Sequence, residues 1–191
     1  MRQSQIKRTT KETDIQLSLD LDGGISKIST GIGFFDHMLN SFAAHSGFAL
    51  EVSAQGDLHV DGHHLVEDVG IVLGQALKEA LGGKIGIRRF ASSFIPMDEA
   101  LCFTAADLGG RAYFVYDVIM PQERCGDYDT CLTEDFLRSF SFNAAINLHV
   151  RCLYGQNAHH ITEAIFKSLA RTLKDAVKLE GDILPSTKGV L

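Results

Sequence analysis

With 191 residues, 45% hydrophobic and 22% charged, the chain is long enough to bury a core and too evenly mixed to be disordered or membrane-spanning. A formal charge of -6 argues against a nucleic-acid backbone as bulk partner, since that surface calls for a basic footprint, although a few Arg and Lys suffice to hold one phosphate. Cys102, Cys125, Cys131 and Cys152 show neither CxxC spacing nor the density of a disulfide scaffold, which predicts free thiols in a reducing compartment. The opening MRQSQIKRTTKETD has no apolar run behind its charges. Neither a secretory signal nor a membrane anchor is expected, and the location expected is the cytoplasm.

Along the chain, Ile15, Leu17, Leu19 and Leu21 alternate with polar residues, as a strand with one buried face requires. Gly23-Gly24 then marks a turn and Ile25 and Ile28 begin a return, so a hairpin is expected there. A helical stretch over 34–44 and a strand over 48–55 follow. The next helix, after Asp61-Gly62, is apolar on every side over 69–81 and is expected to be deeply buried. The same order returns: alternation over 101–107, Gly109-Gly110, a return strand over 113–118, a helical stretch over 134–145 and a strand over 148–153. In the last helix Ile165, Leu169, Leu173 and Val177 form an apolar stripe opposite Lys167, Arg171, Lys174 and Lys178, which predicts a shallower burial.

The repetition extends to single residues. HHLVED at 63–68 returns as HHITEA at 159–164, and Leu73, Leu77, Lys78 and Ala80 precede Leu169, Leu173, Lys174 and Ala176 by the same 96 positions. Leu39-Asn40-Ser41-Phe42 lies over Leu137-Arg138-Ser139-Phe140 at an offset of 98, and Gly23-Gly24 over Gly109-Gly110 at 86. The drift marks insertions, chiefly MPQERCGDYDTC at 120–131, which the first half lacks. Two units, 1–83 and 84–191, each hairpin-helix-strand-helix, imply one compact α+β chain with sheets packed against helices on one side.

Residues four apart on a helix share a face, so His63 and Glu67 can chelate one ion while His64 points about 100° away and can serve another. Imidazole plus carboxylate suits Mn, Fe, Zn or Ni better than Mg or Ca. A lone helical His is more often a surface or satisfied core residue. Writing His-His and Glu twice, in a repeat diverged nearly everywhere else, favours a metal role. Repetition alone does not bring the motifs together; a pseudo-twofold within the chain or a contact between copies would.

GIGFFDHML at 31–39, DGHHLVEDVGI at 61–71, IRRF at 87–90, DLGGRAY at 107–113, EDFLRSF at 134–140, NAHHITEAIFKSLAR at 157–171 and PSTKG at 185–189 together resemble the imidazoleglycerol-phosphate dehydratase family of histidine biosynthesis. The resemblance spans nearly the whole chain. It implies a lyase of the ribosomal protein S5 domain 2-like fold, two Mn2+ per active site, sites built where subunits meet, and a homo-oligomer of 24 subunits assembled from trimers. The implied reaction removes water from D-erythro-imidazole glycerol phosphate to give imidazole acetol phosphate. No carbonyl adjoins the carbon that loses its proton, so the ring must take up the electrons, with metal as template and Lewis acid.

The resemblance implies as metal ligands His37, His63, His64, Glu67, His159, His160 and Glu163. Asp135 is the eighth, where many members carry His; it falls over His37 at the offset of 98. It implies Glu12, His45, Glu67 and Glu163 as catalytic or substrate-pocket groups. Read alone, Glu12 is a solvated charge before a strand, and His45 a helix C-terminal residue favoured by the dipole. The resemblance assigns the substrate phosphate to Arg89, Arg111, Ser186 and Lys188, as guanidinium, ammonium and hydroxyl donors. Read alone, Arg88-Arg89 is a solvated turn and PSTKG a frayed tail. Deleting 186–191 is expected to harm activity more than folding. Asp68 is expected to be structural, and His149 either a satisfied core histidine or one that supports a metal ligand from behind. A two-metal phosphohydrolase, which would release inorganic phosphate, and a metal-stapled assembly protein, indifferent to loss of Glu12, stand beside the lyase.

Overall fold

A computed structural model describes residues 2–189; Met1, Val190 and Leu191, at the ends of the two stretches 1–83 and 84–191, lie outside it. The first half forms β1 (Gln3–Thr9), β2 (Thr13–Asp20), β3 (Lys27–Ser29), α1 (Gly33–Ser46), β4 (Ala49–Gly56) and α2 (His63–Leu81). The second repeats it as β5 (Phe90–Met97), β6 (Ala100–Asp107), β7 (Tyr113–Asp117), α3 (Leu132–Ala144), β10 (Asn147–Tyr154) and α4 (Ala158–Ala176). Its insertion holds a small hairpin, β8 (Arg124–Cys125) and β9 (Tyr128–Asp129). The two main sheets run β1-β2-β4-β3 and β5-β6-β10-β7, one order written twice.

The hairpin of each unit is not the one that alternation suggested. β2 pairs antiparallel with β1, Ile6 opposite Leu17, and on its other edge with β4. Beyond Gly23-Gly24, β3 does not turn back on β2; it pairs parallel with β4. Likewise β6 pairs with β5 and β10, while β7 pairs parallel with β10. A parallel pair needs a crossover, and α1 and α3 supply it. Local alternation reports which face of a strand is buried, not which strand becomes its neighbour.

β2 turns Ile15, Leu17 and Leu19 inward and leaves Asp14 and Gln16 outside. α2 covers β1 and β2 and meets α3 of the other unit, while α4 covers β5 and β6 and meets α1. The helices therefore form a layer with one sheet on each side, sharing a continuous apolar core. Gly70 and Gly74 let α2 press onto α3: a Cβ at Gly74 would stand 2.5 Å from the Phe140 carbonyl oxygen, and one at Gly70 2.6 Å from that of Phe136.

Contrary to expectation, α4 is buried as fully as α2. Its polar residues enter the core because they have partners: Ser168 Oγ lies 2.6 Å from Thr104 Oγ1, and Thr172 Oγ1 donates to the Thr104 carbonyl at 3.1 Å. All four cysteines are free. Among the described residues, no helix is long and apolar enough to cross a membrane.

Candidate active site

The two HHxxE motifs open α2 and α4, and in each the first His and the Glu share a face. His63 Nε2 lies 3.8 Å from Glu67 Oε2, and His159 Nε2 lies 3.3 Å from Glu163 Oε2. Each pair meets a third donor from the opposite unit. His37 of α1 reaches Glu163, Nε2 to Oε2 at 3.4 Å, and donor atoms of His37, His159 and Glu163 all lie within 4.8 Å of one another. Asp135 of α3 faces His63, Oδ2 to Nδ1 at 3.6 Å, and Ser139 Oγ donates to Glu67 Oε1 at 3.4 Å. The close approach at Gly70 and Gly74 is what puts α3 within reach of α2.

Glu163 is buried, which works against its charge, yet the Lys167 ammonium at 2.7 Å and His37 hold its carboxyl below the usual range. Asp68, next to the first motif, is structural as expected, accepting from Arg8 at 3.0 Å and Thr13 at 2.5 Å.

His64 and His160 point away from these clusters, and carboxylates that composition alone did not single out are aimed at them. His64 Nδ1 lies 3.0 Å from Asp57 Oδ2 and 3.9 Å from Glu12 Oε2; His160 Nδ1 lies 2.6 Å from Glu99 Oε2, and its Nε2 3.6 Å from Asp98 Oδ2. The hydrogen bond to Asp57 raises the His64 pKa, as that to Glu99 raises the pKa of His160. Glu99 itself is held down to about 2 by His160 and by backbone N–H groups of Gln156 and Asn157. The sequence did hold a signal: Asp98 follows Glu12 by 86 residues, the offset of the paired glycines, and both sit in the turn joining the first two strands of their unit.

Arg89, Arg111, Ser186 and Lys188 do come together, lining a cavity of about 330 Å³ with Gly109 and Gly110. Arg89 is fixed by Asp107, Nε to Oδ1 at 2.6 Å, and its Nη1 donates to the Pro185 carbonyl at 2.7 Å, which ties the tail down. This cavity stands at the far end of α4 from the histidines. Arg89 N bonds the Ala176 carbonyl, and the helix carries the chain about 26 Å from His159 to Ala176.

The matching place in the first unit is a cavity of about 710 Å³ lined by Gln3, Gly23, Gly24, Ile25, Glu51 and Glu79, in which Gln3 and Ile25 stand 86 residues before Arg89 and Arg111. His45 is not gathered into the donor clusters. It lies two turns beyond His37, about 12 Å along α1, exposed over most of its surface, and partial desolvation of its ring, then Lys167 and Arg171, lower its pKa. His149 is not a core residue: it lies on the open face of the second sheet, stacked on Tyr113 at 6.3 Å, because residues 148 and 150 take the inward positions of β10.

Residues 30–173 match the imidazoleglycerol-phosphate dehydratase family. The imidazoleglycerol-phosphate dehydratase of Acetivibrio thermocellus is 56% identical over 193 residues, covering 100% of this chain and 99% of that one, and that of Lacticaseibacillus casei is 54% identical over 195 residues, covering 100% of both. The solved structure of the Staphylococcus aureus dehydratase superposes with a TM-score of 0.86 at 39% identity, over 93% of this chain and 99% of that one. The Pyrococcus furiosus structure gives the same score and identity over 97% and 100%. With the whole chain so matched in sequence, the same doubled architecture and the two HHxxE helices in place, the chain belongs to the imidazoleglycerol-phosphate dehydratase family of hydro-lyases.

Proposed function

We propose that the chain catalyses the manganese-dependent dehydration of D-erythro-imidazole glycerol phosphate to imidazole acetol phosphate, a step of histidine biosynthesis in the cytoplasm, at sites completed between copies of itself. The observation that carries this reading is the trio His37, His159 and Glu163, mirrored by Asp135, His63 and Glu67. The donors fit a transition ion. The separations of 3.3 and 3.4 Å around Glu163 are close to the roughly 3 Å between neighbouring ligands of an octahedral ion with bonds of about 2.1 Å. Two Mn2+ so held would fix the ring nitrogens of the substrate and stabilise negative charge on the ring as the side-chain proton departs.

Glu12 takes up or returns a proton at its exposed carboxylate, 3.9 Å from His64. Glu67 and Glu163 hold their donors in place, and Arg89, Arg111, Ser186 and Lys188 grip the phosphate. The distance of about 26 Å along α4 supports completion between copies. No molecule of one ring, three carbons and a phosphate reaches from the cationic cavity to the donor trio of the same chain, so one copy offers the phosphate grip and another the metal donors. The family resemblance extends this proposal to a 24-subunit cage built from trimers.

The experiment is an assay with imidazole glycerol phosphate, comparing metal-free protein with protein given Mn2+. Expected are activity only with metal, a ketone product that keeps its phosphate, and smaller particles after chelation, because the donor clusters need an ion to offset their desolvation. Release of inorganic phosphate, or full activity without metal, would overturn the reading.

A further inference from the structure

The 120–131 insertion, absent from the first unit, directs its polar groups at the two helices that carry His37, His159 and Glu163. α1 begins without a cap of its own, since Ile32 occupies the N-cap position and makes no side-chain cap bond. Its first amides are served by Asp127 instead: Oδ2 accepts from Gly33 N at 2.7 Å and Oδ1 from Phe34 N at 3.2 Å. A carboxylate there satisfies two orphan donors and complements the positive end of the helix. Near the other end of the insertion, Gln122 Oε1 accepts from Ala158 N, the first residue of α4, at 2.6 Å, and Gln122 Nε2 donates to the Gln156 carbonyl at 3.0 Å.

The stretch between these two anchors is itself fixed. Gly126, at a φ of 62°, turns β8 into β9, and Thr130 Oγ1 donates to the Gln122 carbonyl at 2.9 Å. Tyr128 is fully buried, its hydroxyl 3.1 Å from Thr133 Oγ1 and its ring stacked on Phe35 at 5.9 Å. Phe34, whose amide Asp127 holds, sets its ring edge-on to His159 at 5.0 Å.

We infer that the insertion is a clamp in which Asp127 and Gln122 are positioning residues, holding the first turns of α1 and α4 at the spacing that the His37, His159 and Glu163 donors require. The inference rests on the metal reading above and adds an asymmetry to it. At the other trio the first amide of α2 is served from its own unit, Asp61 Oδ1 accepting from His63 N at 2.8 Å, whereas the Asp127 and Gln122 side chains bond the starts of α1 and α4. Losing the Asp127 or Gln122 contacts, while Tyr128 still ties the hairpin to Thr133 of α3, therefore weakens one of two ions and spares the other.

The test is titration of the intact protein with Mn2+, reading the free ion by electron paramagnetic resonance, in the parent, Asp127→Ala, Asp127→Asn and Gln122→Ala, with Glu67→Gln marking the ion at the other trio. Two classes of ion are expected in the parent. Asp127→Ala weakens one class about tenfold and leaves untouched the class that Glu67→Gln weakens. Asp127→Asn, which keeps an accepting oxygen, falls between. Activity of Asp127→Ala at saturating Mn2+ returns towards the parent value. Unchanged affinity of both classes in Asp127→Ala and Gln122→Ala, or equal loss of both, overturns the inference. Should Asp127→Ala not fold, Gln122→Ala decides by the same criterion. A parent protein that takes up no Mn2+ defeats instead the metal reading on which the clamp rests.

Discussion

Asp135 occupies in the second unit the place that His37 occupies in the first: Asp135 Oδ2 faces His63 Nδ1 at 3.6 Å, and His37 Nε2 faces Glu163 Oε2 at 3.4 Å. The two trios are equivalent in position and unequal in chemistry. One offers two imidazoles and a carboxylate, the other one imidazole and two carboxylates, a harder donor set that favours Mn over softer ions.

Replacing Asp135 by His makes the trios alike. The expected outcome is a folded protein in which one of two ions shifts its preference from Mn2+ towards Zn2+ or Ni2+, read by competitive metal titration. Asp135→Ala is expected to weaken the same ion by about 10- to 100-fold. Unchanged selectivity and affinity in both variants would remove Asp135 from the ligand set.

Glu12→Gln tests proton transfer. Glu12 lies on an exposed turn and its carboxylate meets α2 only at long range, Oε2 to His64 Nδ1 at 3.9 Å, so the fold and metal uptake should be retained. Turnover is expected to fall about 10²- to 10⁴-fold at unchanged Mn2+ content and particle size, measured by steady-state kinetics beside gel filtration. A variant as active as the parent would leave Glu12 without a catalytic part.

Gly74→Ala puts a methyl group against the Phe140 carbonyl and the Ala144 amide, 2.5 and 2.9 Å away before any movement. Both are backbone atoms of α3 or its end, so relief requires the helices to part. A loss of about 1–3 kcal/mol is expected, seen as a lower melting temperature. Weaker binding of the ion at His63 and Asp135 should accompany it, since the same approach aligns them.

Arg89 and Lys188 separate tail order from phosphate grip. Lys188→Ala should raise KM for the phosphorylated substrate by about 10- to 100-fold at nearly unchanged melting temperature, as expected for one lost charge-assisted contact. Arg89→Ala should raise KM too and also lower the melting temperature, because Asp107 and the Pro185 carbonyl lose their partner. A Lys188→Ala enzyme with parental KM would place the phosphate elsewhere.

Much of this was legible in the residues. The spacing of His63 to Glu67 and of His159 to Glu163 placed each pair on one helical face, and the 98-residue offset matched Asp135 to His37 before either was seen beside its partner. What periodicity could not convey was neighbourhood. β1 holds a single apolar residue, Ile6, and β5 contains Pro96, so neither announces itself as a strand. Without them alternation alone assigns β2 and β6 the wrong partners. Asp57, Asp98 and Glu99 lie in turns, where no period marks a side chain, and only the tertiary fold aims them at His64 and His160. The clamp was hidden for the same reason: Asp127 caps a helix that starts 94 residues earlier.

The cavity holding Gln3 and Ile25 where its twin holds Arg89 and Arg111 fixes a ratio. Doubling kept a His–Glu pair in each half and both trios across the halves, but among the described residues the first unit's cavity sets an amide and an aliphatic chain, which carry no charge to set against an oxyanion, where its twin has two guanidinium groups. Under the proposed function, every copy added to an assembly would thus bring capacity for two ions and for one phosphate ester, and the saturating load would scale with copy number at two to one, whatever the size of the particle.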